Sequence, residues 1–224
     1  HVIDVAEFDK FRAGIGQALY SAACVYLAYL AVEPYVRRRW PNMLISWTRA
    51  LAGRFADPRA GRDLLAGCLA GALRFVIVAL ISTAMTTWFG VSGQSPFYPH
   101  YDYAIRSWAG AFGMLAYCLM LGLMAAFFSI VQLLLARFVA RRPWRTISLW
   151  FIMNGASAVY VLGMSPIIGI PAALACCAIW IFALFRFGIL GLTAAFLSFF
   201  LVPYGLLAMD PSRWYFRSSA LVLI

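Results

Sequence analysis

The amino-acid sequence predicts an all-α membrane protein, built as a polytopic bundle of transmembrane helices. Of its 224 residues, 64% are hydrophobic and 12% are charged, whereas soluble domains are about 45–50% apolar and about 25% charged. The mean hydropathy is +0.85. The apolar residues also form runs of roughly 20, the length that a helix needs to cross a bilayer. We therefore expect residues 1–224 to form a single integral membrane domain.

Six apolar runs are long enough to be spanning helices, and a seventh starts near the end of the sequence. Glu33 and Pro34 close the first run, and a tight turn at 164–166 joins the fourth to the fifth. Asp57 followed by Pro58 predicts the N-cap and the first residue of the second helix. The predicted spans are 13–32, 64–89, 108–138, 147–163, 167–185 and 187–209, with the start of another at 218–224.

The ends of the sequence suggest an excerpt from a longer polypeptide. It starts without methionine, and its first residues do not form the n-region of a signal peptide. It also stops inside the last apolar run. We expect that run to belong to a seventh span.

The segment 42–55 predicts an amphipathic helix that lies in the membrane interface. Leu44, Trp47 and Leu51 recur at a helical spacing and form an apolar stripe. The segment is too short to cross a bilayer and carries two arginines. Tryptophan favours headgroup depth, where the arginines can also reach lipid phosphates.

The basic residues predict which side of the membrane each loop occupies. Eighteen lysines and arginines against eight acids give a net charge of +10. Seven arginines lie between the first and second spans, and four more lie at and after the end of the third. Because cytoplasmic loops carry an excess of Lys and Arg, these loops should be cytoplasmic. The N-terminus and the loop 90–107 should be external.

We expect these arginines to contact anionic lipid headgroups, each contributing about 1 kcal/mol near an acidic leaflet. Nucleic-acid binding would instead need arginines on a water-facing surface, whereas here they flank the spans. Membrane lipids, and other membrane protein subunits, are therefore the predicted partners. The expected lipid contacts are Arg37, Arg38, Arg39, Arg49, Arg54, Arg141, Arg142 and Arg145.

The sequence offers little for catalysis or cofactor binding. His1 and His100 are the two histidines, and both lie outside the predicted spans. His100 could be a cofactor ligand at the membrane edge, or an ordinary loop histidine among interfacial tyrosines. A zinc site needs three or four His, Cys or carboxylate ligands, and protein-kinase motifs are missing. We therefore expect no bound metal or cofactor and no enzyme activity from this chain.

Two features within the second span have structural and functional alternatives. Arg74 is an intramembrane charge, which costs at least about 2.5–3.5 kcal/mol at the centre of a helix. It could mark an ion path or a lipid or cofactor contact. We favour snorkelling to the inner headgroups, with Glu33 as a partner. Gly67 and Gly71 form a GxxxG motif, which predicts a close helix contact within the bundle or with another protein.

One long stretch resembles a known family. The run AVEPYVRRRWP at 31–41 continues with LISWTR at 44–49 and GRDLL at 61–65. It closely resembles the C-terminal membrane domain of bacterial eukaryotic-like serine/threonine protein kinases. The similarity is dense over about residues 27–65, patchier over 186–219 and mainly hydropathic between.

The resemblance implies a location in the bacterial inner membrane, with a cytoplasmic kinase domain and a membrane crossing before His1. His1 would then lie on the outer face, in agreement with the arginine distribution. The catalytic residues of the family belong to the kinase domain, which is absent from this chain, so none is carried over.

Two functions remain open at this stage. The first is a non-catalytic membrane anchor or sensor, like the membrane part of such a kinase. The second is an accessory structural subunit of a larger respiratory or photosynthetic complex, in which the chain scaffolds partners, lipids or pigments. The aromatic content of 17% and the GxxxG motif favour the second.

Overall fold

The computed structural model describes residues 5–54, 56–90, 108–140, 142–162 and 166–207, and every regular element within them is helical. The all-α class predicted from the sequence is therefore confirmed. The elements are α1 (Val5–Arg39), a 3₁₀ turn (Pro41–Met43), α2 (Ile45–Leu51), α3 (Pro58–Phe89), α4 (Trp108–Val139), α5 (Pro143–Leu162) and α6 (Pro166–Leu207).

Within the described residues, four helices are long and apolar enough to cross a membrane, whereas the sequence predicted six spans. The predicted fourth span lies on α5, whose polar side chains include Thr146, Ser148 and Asn154. The predicted fifth and sixth spans lie together on α6. The predicted start of a further span at 218–224 lies outside the described residues. The four candidate spans are Arg12–Arg39, Pro58–Ile81, Phe112–Val139 and Ala172–Val202.

Helix α6 folds back on itself at Gly188, close to the boundary that the sequence predicted between the fifth and sixth spans. Gly188 has φ 72° and ψ −163°, a backbone region that essentially only glycine adopts. The ring centroids of Trp180 and Phe196 are 4.3 Å apart, although residues 16 apart in a straight helix would be separated by about 24 Å. Residues 166–187 (the first arm) and 189–207 (the second arm) therefore lie side by side.

Helix α1 continues through Pro34, where the sequence predicted its end. A proline removes one backbone hydrogen bond, but membrane helices tolerate proline when neighbouring groups compensate. Here the Arg37–Glu33 ion pair, with an N–O distance of 2.6 Å, bridges the turn that contains the proline. Val36, in the same turn, is buried in the hydrophobic core. As a result α1 ends at Arg39, and three consecutive arginines occupy its last turn.

The interfacial helix is shorter than the predicted segment 42–55, because α2 covers Ile45–Leu51 only. The first part of its predicted stripe packs against the bundle, since Leu44 is buried and the Trp47 ring lies 5.5 Å from that of Phe127 on α4, whereas Leu51 is 63% exposed. Ser46 donates a buried hydrogen bond to the carboxylate of Asp63 on α3. The segment is therefore held by the helices beneath it.

Helix α3 lies along the second arm of α6, beside a buried hydrophobic core that α4, α6 and the end of α1 form with Trp150. A Cβ atom at Gly67 would collide with the carbonyl oxygen of Gly191, and one at Gly71 with that of Ala195. The Ser198 hydroxyl donates to the carbonyl of Cys68 at 2.8 Å. The two backbones are thus in direct contact, as small residues permit in membrane helices.

Helix α1 lies at the periphery of the bundle. In its spanning window 11% of the residues are buried, compared with 44% for α4 and for α6. Helix α5 is tied to α4 by the indole of Trp150, which donates to the carbonyl of Ser129 at 3.0 Å. The bundle therefore has a tight centre of α3, α4 and α6 and a loosely attached α1.

Replacing Gly71 by alanine should lower the free energy of unfolding by about 1–3 kcal/mol, because the added methyl group overpacks a backbone contact. Gly61→Ala in the same helix is the matched control. Nothing lies within 4 Å of a Cβ at Gly61, so this change should be neutral or stabilising by up to about 1 kcal/mol. Unfolding in mixed detergent micelles, followed by circular dichroism, compares the two. Equal stabilities would contradict the close contact.

Candidate functional site

The arginines gather at one end of the bundle. The Trp40 ring lies 6.2 Å from that of Phe185, and Gly188 contacts the backbone of Met43. The bend in α6 and the segment after α1 therefore lie at the same end. The starts of α3 and α5 and the end of α4 lie there too. We refer to it as the basic end, formed by Arg37, Arg38, Arg39, Arg49, Arg54, Arg59, Arg62, Arg137, Arg142, Arg145 and Arg186.

Acidic side chains neutralise only some of these arginines. Glu33 pairs with Arg37, Asp57 with Arg49 and Asp63 with Arg62, at N–O distances of 2.6, 2.6 and 2.8 Å. In the described part of the chain, Arg38, Arg39 and Arg137 take part in no ion pair with a carboxylate. These three side chains meet where α1 and α4 end.

A cavity of about 330 Å³ lies between the last turns of α1 and α4. We call it the α1–α4 pocket. Each helix C-terminus carries about −0.5 elementary charge, so three guanidinium groups leave about +2 in the pocket region. None of the described residues that line it is a carboxylate, and it therefore has the charge and size of an anion site. Its lining residues are Tyr35, Arg38, Arg39, Leu134, Arg137 and Phe138.

A second cavity of about 200 Å³, the α4–α5 pocket, adjoins the first. Arg39 and Arg137 line both pockets and so form the wall between them. The remaining lining residues are Trp40, Leu133, Pro143, Thr146, Ile147 and Phe185.

Thr146 orients the guanidinium of Arg137. The Nη1 atom of Arg137 lies 3.5 Å from the Thr146 hydroxyl oxygen, which itself donates to the carbonyl of Ala140 at 3.0 Å. Arg137 is half-buried and lines both pockets. Arg137 is not among the lipid contacts that the sequence predicted. Its position one helical turn before Arg141 was the available signal.

The other predicted lipid contacts have different surroundings. The guanidinium groups of Arg37 and Arg49 are held by carboxylates. Arg54 and Arg142 are exposed, and Arg145 lies 5.2 Å from the centroid of the Trp144 ring. Arg141 lies outside the described residues, as does His100.

Arg74 does not snorkel, and the predicted partnership with Glu33 is wrong. Arg74 is 4% exposed, and its guanidinium carbon lies 3.6 Å from the Trp180 ring centroid and 4.0 Å from that of Phe199. It also interacts with the thiol of Cys176. The charge is therefore held in the core by both arms of α6, since desolvated cation–π contacts contribute about 2 kcal/mol.

A groove of about 1070 Å³ separates the first half of α1 from α4. Its walls are mostly apolar, and small residues of both helices are part of its lining: Gly14, Ala18 and Ala22 on α1, and Gly113 and Ala116 on α4. Such residues allow another helix backbone or an acyl chain to approach closely. This groove explains the low burial of α1.

The described residues contain no group of three or more His, Cys, Asp or Glu side chains that could hold a metal ion. Comparison of the chain with protein-family models, with curated proteins and with solved structures gives no match. The function is therefore inferred from the chain's own residues.

Asp57 joins α2 to α3 at the basic end. Its Oδ1 accepts from the backbone N–H of Arg59 at 2.8 Å, which confirms the predicted N-cap, and its Oδ2 binds Arg49 at 2.6 Å. The backbone hydrogen bond from Arg59, together with the Arg49 guanidinium, lowers the pKa of Asp57 below its ordinary value. Ionised Asp57 therefore stabilises the folded protein at pH values above its ordinary pKa. This stabilisation is lost as the pH falls through the lowered pKa of the folded state.

Asp57→Asn should remove this pH dependence, because asparagine keeps the N-cap but does not titrate. Thermal unfolding in detergent, from about pH 7 to about pH 3, should show a larger loss of stability for the wild type than for the variant. Asp57→Ala, which removes both cap and charge, should be the least stable of the three near pH 7. Identical acid profiles for wild type and Asp57→Asn would refute the assignment.

Proposed function

We propose that this chain is a non-catalytic, multi-pass membrane domain that anchors or senses through anionic lipids bound at its basic end. One observation carries the proposal: Arg38, Arg39 and Arg137 converge on a pocket whose lining, among the described residues, includes no carboxylate. Basic pockets between membrane helices are typical sites for acidic lipid headgroups. The exposed Arg54 and Arg142 would add weaker contacts around it.

The proposal places the basic end at the cytoplasmic face of the bacterial inner membrane and the N-terminus outside. The arginine excess supports this orientation through the preference of cytoplasmic loops for Lys and Arg. The resemblance of residues 27–65 to the membrane domain of bacterial serine/threonine kinases supports the same orientation. The lipid-binding end would then lie on the side where a kinase domain of that family works.

A second candidate function is an accessory structural subunit of a larger membrane complex. The groove between α1 and α4 favours it, because an apolar cavity of about 1070 Å³ beside a peripheral helix can receive a helix of another subunit. A protein partner that stays bound at a fixed stoichiometry through purification would favour this function over the first.

Phosphatidylglycerol should stabilise the protein relative to phosphatidylcholine, because a ligand that binds only the folded state raises its stability. Nanodiscs of phosphatidylcholine, with or without phosphatidylglycerol, allow the midpoint of thermal unfolding to be compared. The triple variant Arg38→Gln, Arg39→Gln, Arg137→Gln should lose about 3 kcal/mol of the lipid-dependent stabilisation, at about 1 kcal/mol for each arginine.

A charge-matched control is the triple variant Arg54→Gln, Arg142→Gln, Arg145→Gln, which removes three arginines of the same end outside the α1–α4 pocket. It should lose less than half as much. If both lipids stabilise the wild type equally, the proposed function is wrong.

A further inference from the structure

The α1–α4 pocket and the α4–α5 pocket share one wall, made by Arg39 and Arg137. We propose that the two pockets together bind a single lipid with two phosphate groups, one phosphate on each side of this wall. The inference rests on the proposed function, since it specifies which anionic lipid the basic end takes.

The donors at the wall suit two anions better than one. A guanidinium carries five N–H donors in a planar fork, so one arginine can contact phosphates on both of its sides. Arg38 adds a further cation in the first pocket, and the Thr146 hydroxyl lies in the second. A lipid with one phosphate would leave the donors of the other pocket unused.

The charge of the site also matches such a lipid. Three arginines contribute +3, and the C-termini of α1 and α4 contribute about −0.5 each, which leaves about +2. The described carboxylates of this end, Glu33, Asp57 and Asp63, are occupied by other arginines. A headgroup with two phosphodiester groups carries two negative charges, which match the positive charge of the site.

The walls of both pockets fit a lipid rather than a soluble phosphate compound. Leu134 and the 70%-exposed Phe138 flank the first pocket, and Leu133 and Ile147 line the second. Each pocket also has an edge-to-face aromatic pair at its rim, Tyr35–Phe138 with ring centroids 6.1 Å apart and Trp40–Phe185 at 6.2 Å. Tyrosine and tryptophan mark the headgroup depth of membrane proteins. Acyl chains can therefore leave the site on both sides of the arginine wall.

The test uses tetraoleoyl cardiolipin, in which a glycerol joins two phosphatidyl groups, and dioleoyl phosphatidylglycerol, which has one phosphate. The full chain in phosphatidylcholine nanodiscs receives either lipid at equal total phosphate. Native mass spectrometry then measures the lipid that the released protein retains. We expect one cardiolipin per chain, bound at least tenfold more tightly than phosphatidylglycerol.

Arg39→Gln and Arg137→Gln should each weaken cardiolipin binding about fivefold or more, since each arginine faces both phosphates. Arg38→Gln should weaken both lipids to a similar extent, because Arg38 lines one pocket. Arg54→Gln is the control and should weaken the binding of either lipid by less than twofold, because Arg54 lines neither pocket. Arg39 is exposed, so Arg39→Gln keeps the test valid even if Arg137→Gln disturbs the contact with Thr146.

Equal retention of the two lipids at equal phosphate would overturn the two-phosphate inference and leave the proposed function standing. If the wild type retains neither acidic lipid in preference to phosphatidylcholine, both the two-phosphate inference and the proposed function are wrong. Displacement of cardiolipin by millimolar pyrophosphate would also overturn the inference, because the ligand would then be a soluble anion.

Discussion

The cost of placing charge in hydrocarbon shapes this molecule more than any other constraint. An arginine at the centre of a membrane helix costs at least about 2.5–3.5 kcal/mol, so every described arginine except Arg12 and Arg74 lies at the basic end. That end also holds the bend in α6, the capped start of α3 and the last turns of α1 and α4. The described carboxylates at this end are too few to pair with all of its arginines. Arg38, Arg39 and Arg137 therefore line an open pocket without a carboxylate partner.

Arg74 shows what the bundle must do to keep a charge elsewhere. Both arms of α6 are needed to enclose it, with Trp180 from the first arm and Phe199 from the second. The arms can lie side by side because Gly188 adopts a backbone conformation closed to other residues, and α3 can lie against them because Gly67 and Gly71 lack side chains. The buried cation, the bend and the glycine contact are therefore one packing arrangement of three helical segments.

The sequence predicted the features that depend on neighbouring residues. The helical class, the cap at Asp57 and the extent of α4 follow from local composition and spacing. It failed where contacts between distant residues decide the outcome. Pro34 predicted the end of a helix, but α1 continues past it, where the Arg37–Glu33 ion pair and the buried Val36 hold the turn. Arg137 became a pocket residue only because α1 ends beside it, and the aromatic partners of Arg74 lie more than 100 residues away in the chain.

The most direct test of the account asks whether the basic end faces the cytoplasm. Arg54→Cys places a thiol at that end, and Arg12→Cys places one near the start of α1, at positions that are exposed in both cases. A membrane-impermeant maleimide applied to intact spheroplasts, with the unsubstituted protein as background, should label Arg12→Cys at once. It should label Arg54→Cys only after lysis. The opposite pattern would contradict the proposed orientation, in which the basic end faces the cytoplasm.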